Sequence, residues 1–497
     1  VNELVPLAGG AGAPEPQSLL DRAVGNLRDL WRGIADQLSQ PDDGAIAAGD
    51  LKALRRHMQA CLDARGGEVT ARARAAVLGH DYLALEADGR AAFLRLLAEE
   101  FGPAPEAIAA AARGYLVAAA DRDGAVRALR AALESPRVRL LTQFNVLPEG
   151  VKFLVDVRAE LLRLASGDPV FAPVRDELTA LLRSWFDVGF LELRRITWDA
   201  PASLLEKLIA YEAVHEIASW DDLKDRLDSD RRCFAFFHPR MPEEPLIFVE
   251  VALTSGIAGN IQALLDPNAP VLDPAAADTA IFYSISNAQR GLAGISFGNF
   301  LIKRVVELLS AEFPNLRRFA TLSPLPGFAD WLGEHSVEDL LTAAERKALP
   351  NRDGDQHPLS LTRSPHWYGN AYLAKALKEP LTRLAARYLL RATRPDGRLR
   401  DSVAHFHLTN GARVERIDWL GDTSPKGLRE SLGVMVNYLY QMDAIEANHE
   451  AYSGEGKVTA ASAVRGLAAR KSKAKGRGKG SGRGDGERSG RAGGGAA

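Results

Sequence analysis

Three stretches of this chain carry residue types and spacings that could do chemistry. From Ala280 to Leu301 it reads AIFYSISNAQRGLAGISFGNFL, an apolar strand, a loop holding Gly291, Gly294 and Gly298, and the first turn of an amphipathic helix, GNFLIKRVVELLS. A glycine-punctuated loop feeding a helix brings backbone N–H groups close to an anion, and the helix N-terminus adds about half a positive charge. No Lys-Ser/Thr follows the last glycine, so this is not a nucleotide P-loop, and the loop does not open directly off the strand as a dinucleotide fingerprint does. What remains suits a pyrophosphate held without a metal. The same loop contains Gly294-Ile-Ser296-Phe-Gly298, which copies the G-x-S-x-G nucleophile elbow. The elbow requires a direct strand-to-helix turn, and polar Asn287-Ala-Gln-Arg290 intervenes here.

The second candidate is Ser323, at the end of a strand in RFATLSPLPGFADWL. A serine there can be a turn or N-cap residue, but strand ends opening into loops are where α/β folds place ligands. The third is the pair His405 and His407 in SVAHFHLTNG, which as a strand would share one face. Two histidines on a strand can ligate a metal. No Cys and no carboxylate cluster accompanies them, so no metal is expected and a proton-exchanging or structurally satisfied histidine is the alternative.

The elements that must position these residues fall into two classes. Over 16–190 the chain is rich in Ala, Leu and Arg with apolar residues at helical spacing, as in Leu20, Val24, Leu27, Trp31, Ile34 and Leu38, and again in Val151, Leu154, Val157, Leu161 and Leu164. This predicts an all-helical domain whose apolar stripes must be buried against one another or a partner subunit. After Ile196 short β-rich runs appear: CFAFFH, LIFVEVALT, AIFYSIS, RFATLS, SVAHFHL and ARVERIDWL. Helical runs lie between them, at Gly298 to Ser310, Pro380 to Arg391 and Gly427 to Met442, the last with Leu428, Leu432, Met435, Leu439 and Met442 on one face. Strands interleaved with helices predict a mixed α/β domain. His335 to Lys375 reads as a polar, irregular insertion with helical pieces.

Composition narrows the function classes. With 25% charged and 46% hydrophobic residues the chain has the make-up of a globular protein, and 497 residues imply two or three domains. The net charge of −2 hides a basic tail, because Arg470 to Arg491 holds nine Lys/Arg against Asp485 and Glu487. Such a Lys/Arg/Gly/Ala segment is expected to stay disordered from about Val464 onward, as are residues 1–15. Basic Gly-rich tails can touch nucleic acid; a solvated tail is the plainer reading, and no specific nucleic-acid partner is expected. Cys61 and Cys233 make neither a disulfide framework nor a CxxC pair. The start VNELVPLAGGAGAPEP lacks a secretion signal, and no window approaches the roughly 20 apolar residues needed to cross a bilayer. A cytoplasmic protein without membrane contact is expected.

Taken together the chain resembles the malonyl-CoA decarboxylase family over about Ile196 to Ala461. The residues that carry the resemblance are Tyr211-Glu-Ala-Val-His215, Arg232-Cys233, Glu244-Pro-Leu246, Val251-Ala-Leu-Thr254, Asn260-Ile-Gln262, AIFYSIS, Gln289 with the Gly loop, Leu301-Ile-Lys-Arg-Val-Val306, Leu322-Ser-Pro-Leu-Pro-Gly-Phe328 and Phe406-His-Leu-Thr-Asn-Gly411. The resemblance implies a multidomain protein of α and α+β class: a helical oligomerisation domain over 16–190, an acetyltransferase-like (GNAT) mixed α/β catalytic domain over 191–463, and the basic tail over 464–497. It implies conversion of malonyl-CoA to acetyl-CoA and CO2 without added cofactor, in a homo-oligomer, dimer or tetramer. Carried over by position, the CoA-contacting loop falls on Ala293, Gly294, Ile295, Ser296, Phe297, Gly298 and Asn299. The catalytic serine falls on Ser323, the catalytic histidine on His407, and a tyrosine near the C-terminal helix on Tyr440. Animal members carry a glutamate where this chain has Ser296, and the peroxisomal tripeptide Ser-Lys-Leu is missing from the Gly-Ala-Ala end, which favours a bacterial cytoplasmic member.

Loss of CO2 from a malonyl thioester leaves charge on the α-carbon and the thioester oxygen. A backbone amide near Ala280 to Ser286 is the expected oxyanion donor. His407, at an ordinary pKa of about 6.5, is the expected proton donor, with Ser323 orienting the carboxylate or sharing the relay. Two other readings keep parts of this site: an acyl-CoA-dependent acyltransferase, and a thioesterase using Ser296 as nucleophile. The adenosine end of CoA is expected near Lys303, Arg304 or another basic residue.

Overall fold

The computed structural model describes residues 19–36, 50–63, 67–118, 121–186, 188–295, 301–350 and 356–469. The first part is helical, from Leu19–Asp36 through Gly150–Ala165 to Ala172–Trp185. Trp31, at the centre of the spacing noted above, is buried, and its ring meets Phe144 and Phe153 at centroid separations of 6.1 and 4.9 Å. Helix Gly150–Ala165 buries Val151, Leu154, Val157 and Leu161, and also Phe153 and Val155 on its other flank. It is covered on more than one side because it also packs against the sheet that follows. One hydrophobic core runs without a break from Trp31 in the helices to Val436 in the sheet.

That sheet has eight strands, β1 (Glu192–Ile196), β2 (Arg231–His238), β3 (Met241–Thr254), β4 (Thr279–Asn287), β5 (Arg318–Thr321), β6 (Ser323–Pro324), β7 (Arg413–Asp418) and β8 (Met435–Tyr440). Their order is β1-β2-β3-β4-β5-β8-β6, with β7 also on β8. β5 and β6 pair in succession with one side of β8 and β7 with the other. The central strands are buried nearly throughout, which is why they read as continuous apolar runs and not as alternating ones. Among the described strands only the pair β4 and β5 runs parallel.

The parallel pair is what shapes the site. β4 and β5 pair as far as Phe282↔Thr321, and Leu322 N–H still reaches the Phe282 carbonyl at 3.0 Å. Beyond this point β4 continues along β3 to Asn287 while β6 turns to β8, so the two strands part beside Ser323. Opposite the parting, Glu250 faces Ser284 and Val251 faces Phe282, leaving Tyr283 as an extra residue in β4. Bulges of this kind re-aim a strand and are common next to active sites.

Two elements differ from the sequence expectation. SVAHFHL, read as a strand, is the helix Ser402–Thr409. Asp401 caps it, accepting from Ala404 N–H at 2.8 Å, and an Asp just before the run was a helix-start signal that the alternating apolar residues outweighed. The helix read over Gly427 to Met442 is two elements, helix Pro425–Ser431 and strand β8. Leu432 and Gly433 turn the chain with φ of 54° and 78°, and MVNYLY is apolar on both faces because it lies inside the sheet, so its period carried no information. A smaller difference lies at the C-terminal end. Helix Ser462–Ala469 buries Val464 and Ala468 and packs on β7 and helix Ala371–Arg391, so ordered structure runs past the expected boundary at 464. The basic stretch from 470 lies outside the described residues.

Candidate active site

Thr321 and Ser323 stand two apart across the end of β5 and the start of β6, and Tyr438 and Tyr440 stand two apart on β8. The period of a strand therefore puts each pair on one face. Helix Ser402–Thr409 brings His407 to the same place, its start fixed by Asp401, which accepts from Tyr388 Oη at 3.2 Å as well as capping the helix.

The side chains form a chain of hydrogen bonds. Ser323 Oγ donates to Thr321 Oγ1 at 2.8 Å and lies 3.1 Å from His407 Nε2, while His407 Nδ1 lies 2.8 Å from Tyr440 Oη. Ser323, His407 and Tyr440 are 6%, 3% and 2% exposed. Burial pushes the His407 imidazole down to about 3 and the Tyr440 phenol well above its usual range. The expectation of a histidine titrating near 6.5 is thus corrected: with no carboxylate beside it among the described residues, a desolvated imidazole stays neutral. A neutral ring has one N–H. Ser323 and Tyr440 engage both ring nitrogens, so one nitrogen donates and the other accepts. His407 also lies over the Tyr438 ring at 4.5 Å between centroids, and Phe282, the last residue of β4 paired with β5, lies 6.2 Å from the Tyr440 ring.

Of the two histidines only His407 joins Ser323. His405, no longer on the same face once the segment is helical, points its Nδ1 at Tyr452 Oη, 2.8 Å away. Tyr440 is the last residue of strand β8, just before helix Ile445–Glu455. Thr321 and Tyr438 were missed from sequence; each lies two residues before an expected site residue, and the period-two rule points to Thr321 on the strand read in RFATLS and would have pointed to Tyr438 had β8 been read as a strand.

In the glycine loop, Ala293 and Gly294 are exposed and Ile295 is buried. Gly294 has φ of 73°, a left-handed conformation that favours glycine. Ser296, Phe297, Gly298 and Asn299 lie outside the described residues. Helix Leu301–Glu312 follows. There Lys303 pairs with Glu446 at 3.1 Å, and Arg304 donates to the Leu191 carbonyl at 3.0 Å over the Phe236 ring, so Arg304 ties the helix to the chain entering β1.

A second polar cluster surrounds the far part of β4. Glu212 accepts from Ser284 Oγ at 2.7 and 2.8 Å, from Ser286 Oγ at 3.1 Å, and from the backbone N–H groups of Val214 and His215 at 2.8 Å. Behind it Arg226 pairs with Glu250 at 3.2 Å and Asp222 at 2.8 Å. These bonds anchor the connection before β2 to the bulged end of β4. Among the described residues no group of three His, Cys, Asp or Glu is placed to hold a metal ion, and no helix is long and apolar enough to cross a membrane.

Comparison with known proteins bears on the same segments. Residues 189–478 match the family model for the malonyl-CoA decarboxylase C-terminal domain, and residues 101–186 match that for its N-terminal domain. The mitochondrial malonyl-CoA decarboxylase of Rattus norvegicus is 39% identical over 78% of this chain and 83% of its own, and that of Anser anser anser is 40% identical over 66% and 69%. The crystal structure of malonyl-CoA decarboxylase from Rhodopseudomonas palustris superposes with a TM-score of 0.78 at 45% identity, covering 85% of this chain and all of that one. The enzyme from Agrobacterium vitis gives 0.75 at 43%, covering 83% and 99%. Two family models that together span most of the chain, and relatives 39–45% identical over most of it, place the chain in the malonyl-CoA decarboxylase family.

Proposed function

We propose that this protein decarboxylates malonyl-CoA to acetyl-CoA and CO2 without a cofactor, at the Ser323–His407–Tyr440 chain beside the parting of β4 and β5. The observation that carries the reading is that three residues far apart in sequence form one buried hydrogen-bonded chain where the sheet opens. The amides of the loop at Ala293 and Gly294, both exposed residues, hold the CoA diphosphate, and the bulge at Tyr283 supplies the N–H aimed at the thioester oxygen. Such donors are typically worth about 10²–10³ in rate.

The reaction consumes one proton per turnover. At rest His407 is neutral, and the arriving malonyl carboxylate brings negative charge into a desolvated site, which favours the charged imidazole. As the bond to CO2 breaks, that negative charge moves to the enolate. Ser323 Oγ–H then delivers a proton to the α-carbon and recovers one from His407 Nε2, while Tyr440 keeps the ring in place through Nδ1. No acyl-serine forms.

The protein is also proposed to self-associate through its helical part. Helices Pro105–Val117 and Arg122–Leu133 pack on one another and bury none of their residues, and Leu116 and Val117 are each 80% exposed. A second copy would cover this apolar face.

Incubating the purified protein with malonyl-CoA in chelator, without ATP or biotin, tests the reaction. Equal release of acetyl-CoA and CO2 is expected. Free CoA with malonate would instead indicate hydrolysis, and turnover only with an amine present would indicate acyl transfer.

A further inference from the structure

Arg158 lies on helix Gly150–Ala165 of the helical part, yet its guanidinium reaches the base of the glycine loop. It is 4% exposed. One terminal nitrogen donates to the Gly291 carbonyl, the other to the Ala293 carbonyl at 2.9 Å, and Nε donates to Thr179 Oγ1 at 2.9 Å. Arg183 reaches the Gly294 carbonyl at 3.4 Å. The loop sits directly on this helix: a Cβ at Gly291 would lie 1.7 Å from the Val155 carbonyl oxygen.

Two physical consequences follow from this arrangement. A buried guanidinium is ordinarily matched by a carboxylate, but Arg158 is satisfied by carbonyls and a hydroxyl, and the guanidiniums of Arg183 and Arg175 bear on it, with Asp176 opposing. Among the described residues no carboxylate forms an ion pair with Arg158, and Asp176 is paired with Arg175 at 2.8 Å, so net positive charge remains beneath the loop. In a trans peptide the C=O and N–H point in opposite directions. Holding the Ala293 carbonyl from below aims the Gly294 N–H at the exposed side and strengthens it as a donor by polarising the peptide.

From this geometry we infer that Arg158 is a positioning residue for the diphosphate of the CoA thioester: the helical part of the chain sets and charges the loop that the sheet part presents. This rests on the reading of the loop as the CoA cradle. Arg158 does not touch substrate; it acts through the backbone of Gly291 to Gly294.

The test compares malonyl-CoA with malonyl-pantetheine, which carries no phosphate, as substrates of the full-length protein and of Arg158→Met, Arg158→Lys and Thr179→Val. For Arg158→Met the KM for malonyl-CoA should rise about tenfold or more with kcat within about threefold, while kcat/KM for malonyl-pantetheine changes less than about twofold. Arg158→Lys keeps the charge without the fork and should recover part of the preference; Thr179→Val should shift it in the same direction as Arg158→Met but less. Parallel losses on both thioesters, or an unchanged preference for malonyl-CoA, would overturn the inference while leaving the CoA loop intact. A wild-type protein that does not prefer malonyl-CoA would overturn the loop reading as well. If Arg158→Met does not fold, the lysine and Thr179 variants decide by the same ratio.

Discussion

The rings of His407 and Tyr438 lie one over the other, 4.5 Å between centroids and 26° between planes. This stacking, with Tyr440 at Nδ1, leaves the imidazole one orientation, in which Nε2 faces Ser323. The Tyr438 hydroxyl finds no hydrogen-bond partner among the described residues, so it is the ring that holds the imidazole. Tyr438→Phe should keep kcat within about twofold and leave stability unchanged or improved, since an unsatisfied buried hydroxyl costs about 1–3 kcal/mol. Tyr438→Leu should lower kcat by tenfold or more, on the order of a misplaced general acid. Equal losses in steady-state kinetics for the two variants would assign the hydroxyl a role.

His407→Asn should lower kcat by about 10²–10⁴, the usual range for a general acid or base, while changing the dissociation constant for acetyl-CoA only a few fold. Ser323→Ala should behave alike, and the double variant should cost little more than either one, because the two act as a unit. Calorimetric titration with acetyl-CoA beside single-turnover kinetics separates the terms; matched losses of binding and rate would remove the chemical role of His407.

A neutral resting His407 makes a prediction about protons. The acid limb of kcat/KM, which reports the free enzyme, should show no step near pH 6.5. Binding a non-hydrolysable analogue that retains the malonyl carboxylate should take up close to one proton, read from titrations in buffers of different ionisation enthalpy, whereas acetyl-CoA should take up none. A step at pH 6.5 would mean that the ring titrates as if in water.

Asp401, which caps the helix carrying His407, is held up to about 6 by burial against its ordinary 3.8, with the Ala404 N–H and the Tyr388 hydroxyl opposing. Its folded pKa is raised, so between pH 4 and 6 the folded state binds more protons than the unfolded state and stability falls as pH rises. The contribution is complete below about pH 4 and lost above about pH 6, on the order of 2–3 kcal/mol. Asp401→Asn, which still caps a helix, should flatten this slope in urea melts at pH 4, 5 and 6 relative to wild type. An unchanged slope would mean that Asp401 ionises at its ordinary pKa in the folded protein.

Self-association through the helical pair predicts that Leu116→Glu with Leu133→Glu lowers the molar mass measured by light scattering, without loss of helical signal. An unchanged mass would place the contact elsewhere or leave the protein a monomer.

The glycine loop, Ser323 and His407 were visible as residue types at telling positions, and the helical and mixed halves as a change of period after Ile196. The two misread elements have different causes. SVAHFHL is a partly exposed helix whose alternating apolar residues imitate the period of a strand, whereas MVNYLY is buried throughout and has lost the polar face from which period is read. Of the missed residues Tyr438 depended on the reading of MVNYLY, while Thr321 lay on a strand already read in RFATLS.

The amino-acid sequence by itself determined the family, the order of helical and mixed parts and the chemical groups on offer, because these depend on residue identity and local spacing. Only the tertiary structure decided which groups meet. Ser323, His407 and Tyr440 are joined by strand pairing and helix packing across long stretches of chain. The neutrality of His407 is a property of burial, and the hold of Arg158 on the loop joins two parts of the chain 133 residues apart. Desolvation and long-range contact are set by what surrounds a side chain after folding, and no local pattern carries them.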